Sequence, residues 1–155
     1  MIQRIQTIFL FVASILMFLT TLFPISNIFD AESPSITTLY AFKIDTTNSL
    51  IHHSSISTIT SGIALYACSI LGFAIIFLYK KRKLQMLFTS IEMVFTFLSC
   101  NLIVINSYRA MPSPHASLSF TFFSIFPIVS LILYFLAYKA IKKDDKLVKS
   151  LDRIR

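Results

Sequence analysis

Polar residues are scarce over four long stretches of this chain and crowd into the gaps between them. The stretches run from about Thr7 to Phe23, Ser57 to Tyr79, Leu84 to Ser107 and Leu118 to Tyr138. As helices rising 1.5 Å per residue, each reaches roughly 25–36 Å, enough for a hydrocarbon core of about 30 Å. Transmembrane strands would need segments of about ten residues with alternating polarity, and these do not alternate. The pattern predicts an all-α membrane protein, an antiparallel bundle of four transmembrane helices forming one domain over 1–155. A long loop, 24–56, follows the first span, and a tail, 139–155, follows the fourth. Within the loop, "SITTLYAFKI" (Ser35 to Ile44) is rich in β-branched and aromatic residues, so a short β-hairpin is expected in a small extracytoplasmic cap. The stretch from Tyr108 to Ser117, with Pro112 and Pro114, reads as a turn.

Composition strengthens the membrane reading. Apolar residues make up 55% of the 155 and charged residues only 14%, too few to cover the surface of a water-soluble domain. Arg4 precedes the first stretch as in a signal peptide. That stretch is long for such a segment and has no small-residue exit, so it is expected to be retained.

The net charge of +7 would suggest nucleic acid in a soluble protein, but here its placement decides. Lys80, Lys81, Arg82 and Lys83 fill the short gap between the second and third spans, so they lie at one membrane face. Together with Arg4 and the seven cations of the tail they are 12 of the 14 Lys and Arg residues. Lys43 and Arg109 fall on the other face. The excess of Lys and Arg predicts that both termini and the basic turn are cytoplasmic. A turn pinned to the membrane has no freedom to bind nucleic acid. Lys80, Lys81, Arg82, Lys83, Lys142, Lys143, Lys149, Arg153 and Arg155 are therefore candidate contacts for anionic lipid headgroups or a protein partner. Ile141, Leu147, Val148, Leu151 and Ile154 approximate one helical face in the tail, which suits an extension of the fourth helix.

Candidate chemistry is sparse. Glu92 is the acidic residue well inside a span, roughly 12 Å from its inner end, where a carboxylate is costly and invites a functional reading. Thr89, Glu92, Thr96, Ser99 and Asn106 follow helical steps and share a face, a candidate intramembrane polar site. The structural alternative is that this face glues the helices together, with Glu92 protonated or paired. On that reading Glu92→Gln is tolerated and Glu92→Leu mildly disruptive. Gln3, Thr7, Ser14 and Thr21 form a thinner stripe in the first span. Gly62, Cys68, Ser69 and Gly72 are small residues that permit close helix contact in the second. Cys68 and Cys100 lack the paired spacing of a redox motif. His52 and His53 lack a second spaced pair of metal ligands. No phosphate loop, nucleophile elbow or metalloprotease motif occurs, so no enzyme activity, catalytic residue or cofactor is expected.

The start "MIQRIQTIFL", the turn "YKKRKLQ" and the tail "AIKKDDKLVKSLDRIR" resemble an uncharacterised bacterial family of short four-span membrane proteins, a domain-of-unknown-function family. The resemblance implies a multi-pass protein of the bacterial cytoplasmic (inner) membrane and supplies no activity, ligand or site residue. Two functional readings remain. The first is a non-enzymatic accessory or scaffold subunit of a membrane complex, with a membrane-protein partner or further copies of itself. The second is a small oligomeric transporter or proton-coupled carrier that uses Glu92.

Overall fold

The computed structural model describes residues 3–30, 36–46, 56–112 and 115–152. Most of them lie in four helices: α1 (Gln3–Leu22), α2 (Ile56–Phe77), α3 (Arg82–Arg109) and α4 (Phe126–Asp152). All four are long and apolar enough to cross a membrane. α1 packs on α2 and α4, and α3 packs on the same two, so the helices close into a ring around a shared interior. The start of α1 meets the end of α4 where the Gln6 side-chain amide donates to Asp144. Its far end meets the approach to α4 where Phe23 stacks on Phe123, with ring centroids 4.1 Å apart.

Within this ring α3 is built inside out relative to a helix in water. The buried positions of α3 are Gln85, Thr89, Glu92, Thr96, Ser99, Ile103, Asn106 and Ser107, all but one polar. Its exposed positions include Leu87, Ile91, Val94, Phe97 and Leu98. A water-soluble helix would turn the apolar stripe inward. An outer surface of Phe, Leu, Ile and Val instead matches a hydrocarbon solvent, in which burying it brings no hydrophobic gain.

α2 ends in a 3-10 turn, Leu78–Lys80, where the Lys81 N–H donates to the Leu78 carbonyl at 2.9 Å, and α3 resumes at once. The basic cluster therefore occupies the tightest connection in the molecule. At the other end lie four short antiparallel strands: β1 (Ser26–Phe29), β2 (Ile36–Leu39), β3 (Ile44–Thr46) and β4 (Ser117–Phe120). They form one sheet in the order β3-β2-β1-β4. The expected hairpin is present as β2 and β3, with Leu39 opposite Ile44. Its turn is closed by the Tyr40 N–H donating to the Lys43 carbonyl at 2.8 Å. A 2.8 Å contact from Lys43 to Asp45 borders the same turn, and that hydrogen bond raises the Lys43 ammonium above its ordinary range.

The sheet corrects one boundary. A fourth span was expected from Leu118, yet Leu118 pairs with Ile28 in the sheet and the helix begins only at Phe126. "SLSF" alternates in polarity, and the free edge of β1 offers it a ladder of backbone partners. Thr121 continues extended, donating from its N–H to the Ile25 carbonyl at 3.0 Å. Pro127, which lacks an N–H, then suits the first turn of α4. Past Tyr138 the helix does not stop but runs on to Asp152.

The sheet seals one end of the ring. Ile25, Leu39 and Ala41 bury themselves against Met17 of α1, Leu65 and Cys68 of α2 and Ile103 of α3. Gly62 allows this approach, since a Cβ there would stand 2.5 Å from the Phe42 ring and 2.7 Å from the Ala41 carbonyl oxygen. Glu32, His52 and His53 of the long loop lie outside the described residues.

Candidate functional site

Two kinds of polar group occupy the interior, and their hydrogen bonds tell them apart. The first kind bridges helices. Ser69 of α2 donates to the Ser14 carbonyl of α1 at 3.2 Å, and Ser130 of α4 donates to the Ala13 carbonyl at 3.1 Å. Gln85 of α3 reaches the Ile75 carbonyl of α2 at 3.4 Å. The Ser26 and Ser107 hydroxyls meet at 3.1 Å, tying β1 to α3.

The second kind is the stripe on α3. Thr89 and Ser99 donate to Gln85 and Phe95 of their own helix, at 2.8 and 2.9 Å. Ser99 also lies 3.6 Å from the Cys68 sulfur of α2. Thr96, fully buried, makes no hydrogen bond through its hydroxyl. Glu92 is only 1% exposed, and no hydroxyl, amide or backbone group among the described residues bonds to its carboxyl; the group that approaches it is the Cys68 thiol of α2. The thiol of Cys68 and the phenol of Tyr134 are its nearest titratable neighbours, close enough to interact with it electrostatically. Tyr134, also fully buried, holds its hydroxyl against that of Ser14 on α1. Polar groups left without full hydrogen bonding in a low-dielectric interior are expensive, on the order of 1–3 kcal/mol each. A carboxyl is at the upper end of that cost.

The sequence stripe is thus brought together as a face: Thr89, Glu92, Thr96, Ser99 and Asn106 are all buried on α3. Tyr134 completes the site and was not singled out from sequence. Its signal is present all the same, because Ser130, Tyr134, Ala137, Ile141 and Asp144 recur at helical steps and are all buried. In α1 the inward amide is Gln6, and Thr7 is half-buried. Gly72 lets α2 close on both α1 and α4, since a Cβ there would collide with the Ser14 and Tyr134 hydroxyls.

Beside Glu92, α2 and α3 part to form an outward-facing groove of about 450 Å³, lined by Leu71, Ala74, Ile75, Leu78, Phe88, Ile91 and Phe95. Glu92 supplies the acidic group of that lining. Farther along, the basic turn and the extension of α4 border a wide, open depression of about 650 Å³ lined by Tyr79, Lys81, Arg82, Lys83, Leu84, Asp145 and Val148. Lys142 and Lys143 stand exposed on the same extension. Lys80 lies in the 3-10 turn and Lys149 in α4, while Arg153 and Arg155 lie outside the described residues. Cys68 and Cys100 are free thiols.

Residues 2–154 match the model of a family described as Domain of unknown function (DUF4293). The chain belongs to that family. A search of curated proteins finds no match. The DUF4293 description carries no activity, so the arrangement around Glu92 must be read on its chemistry. That arrangement holds a carboxyl, a phenol, a hydroxyl and a thiol inside an apolar shell, and can exchange a proton or receive a cation. Among the described residues, no three His, Cys, Asp or Glu side chains gather as metal ligands.

Proposed function

We propose that this DUF4293 protein is a small, non-enzymatic, proton- or cation-linked carrier of the bacterial cytoplasmic membrane. Its four helices form an antiparallel bundle with both termini cytoplasmic. The observation that carries the reading is the Glu92 carboxyl, buried among helices with the weakly bonding Cys68 thiol beside it and no hydroxyl, amide or backbone partner among the described residues. A group whose job was to glue helices would be bonded across them, as Ser69 and Ser130 are. A group that must repeatedly gain and lose a partner is better left free. Four helices rarely enclose a pathway alone, so a homo-oligomer is the working unit.

The test is proton movement into proteoliposomes loaded with a pH-sensitive dye. The unaltered chain should collapse an imposed gradient, and Glu92→Gln should not, with equal insertion of both. Gradients that decay alike with and without protein would sink the carrier reading. Topology is tested separately by reporter fusions active only outside the cytoplasm. They should be active when joined in the β2–β3 region and silent at Lys81 and at both ends.

One observation favours a second reading, that of an accessory subunit. α4 has 27 residues, more than the roughly 20 that cross a bilayer, so about two turns project beyond it. Leu147 and Val148 are exposed there among Lys142, Lys143 and Lys146. That face suits anionic lipid headgroups or a membrane-protein partner. A partner that copurifies with the full chain and is lost when 147–155 are deleted would favour the subunit.

A further inference from the structure

The turn between α2 and α3 gathers charge of one sign at the start of a long helix, and the projecting end of α4 stands beside it. The open depression between them, about 650 Å³, takes Lys81, Arg82 and Lys83 from the turn and Asp145 from α4. Leu84 and Val148 give the same lining an apolar part. We infer that this depression binds the headgroup of a phospholipid that carries two phosphates. Its acyl chains lie in the bilayer along the exposed face of α3 at Leu84 and Leu87. The inference is independent of what Glu92 does and asks only that the helices span a bilayer.

Charge selects an anion, since three cations of the lining stand against one carboxylate. The first turn of α3 adds to that field, because it holds no acidic residue and no side chain caps it. Spacing selects two phosphates rather than one. Successive side chains on a helix diverge by about 100°, so Arg82 and Lys83 cannot both close on a single phosphate. Lys81, at the N-cap with φ −111° and ψ 74°, is turned off the helix altogether. Two phosphates joined through a glycerol give the divergent cations separate partners, and basic pockets between membrane helices suit such headgroups. The apolar part selects a lipid over a soluble anion. A free phosphate or an acidic peptide would leave Leu84 and Val148, each 39% exposed, in water. The level is right as well. On α4 the Lys139 ammonium lies 4.4 Å from the centre of the Phe135 ring, and that of Lys142 lies 6.0 Å from the Tyr138 ring. Cations folded over aromatic rings in this way suit the boundary between hydrocarbon and headgroups. Asp145 follows within one further turn.

The test is native mass spectrometry of the full chain in a neutral detergent, titrated with diphosphatidylglycerol or with phosphatidylglycerol at matched phosphate. The two-phosphate lipid should bind saturably, a single copy per chain, and roughly tenfold more tightly than the other. Lys81→Gln with Arg82→Gln should weaken it roughly tenfold or more. Lys143→Gln with Lys146→Gln removes the same charge from exposed positions of α4 outside the lining, and should change binding by less than about twofold. Inorganic pyrophosphate, which has the two phosphates without the lipid, should not displace the bound lipid at equal concentration. Equal affinity for the two lipids overturns the inference on the unaltered chain alone. Equal losses from the two paired substitutions also overturn it, leaving a basic surface that attracts any anionic lipid. Displacement by pyrophosphate overturns the lipid as the occupant.

Discussion

The seam between α1 and α4 and the inner face of α3 are written in the same alphabet of Gln, Ser, Thr and an acid. They behave differently. Along the seam Gln6 reaches across to Asp144 and Ser130 to Ala13, while Ser14 and Thr20 bond back to their own helix. On α3 Thr89 bonds back to its own helix, Ser99 does so while also meeting Cys68, and no hydroxyl, amide or backbone group among the described residues bonds to the acid. Polar residues at helical spacing therefore identify an inward face in a membrane protein without saying what the face is for. Partnership separates the two uses. On the carrier proposal the seam is adhesive and the α3 face is the site.

That contrast can be broken most severely at Gly72, where seam and site meet. Gly72→Leu drives a side chain into the space held by Ser14 and Tyr134. Overpacking of this kind costs about 1–3 kcal/mol and sometimes more. The expected result is a bundle that unfolds far earlier on heating in mild detergent. A midpoint close to that of the unaltered chain would mean the helices are not so closely apposed.

A smaller effect sharpens the adhesive half. Gln6→Leu leaves Asp144 buried without its amide donor, at a cost of about 1–3 kcal/mol. Adding Asp144→Leu should recover most of the loss, since two apolar groups replace both partners at once. Thermal midpoints of the two single variants and the double variant measure the coupling. Simple additivity of the losses would show that Gln6 and Asp144 do not form a pair.

Smallest in stability, and opposite in sign, is Glu92→Leu. The sequence reading expects mild disruption, because a polar stripe at that depth looks like glue. With only the weak contact to the Cys68 thiol to lose, replacement by a side chain of similar size should be neutral or stabilising, by up to about 1 kcal/mol. Unfolding in the same detergent decides between the two. A fall in midpoint as large as that of Gln6→Leu would return Glu92 to the adhesive class.

Much of the architecture was legible because each span is a long run of one polarity class, and length settles its element type. The inward face of α3 was legible from spacing alone. Less visible were features set by distant parts of the chain. β1 and β4 are four residues each and take their register from one another, Ser26 opposite Phe120, so neither announces itself locally. Leu118 and Phe120 are apolar enough to pass for helix until β1 is there to pair with them. Tyr134 was hidden for another reason: phenols are common in membrane helices, and only the proximity of Glu92 and Gly72 gives this one a role. The company Glu92 keeps, Cys68 on α2 and Tyr134 on α4, is a property of three helices at once and has no counterpart in a single stretch of sequence.

The position of β1 also has a consequence for the order of assembly on the ribosome. β2 follows β1 within a few residues, but β4 arrives only after α2 and α3 have been made. At about 5–20 residues per second, β1 spends on the order of ten seconds with one edge paired and the other bare. A bare edge is an open invitation to another chain. Nascent copies made side by side could exchange β4 strands in that interval, and slow translation between α2 and α3 would lengthen the opportunity.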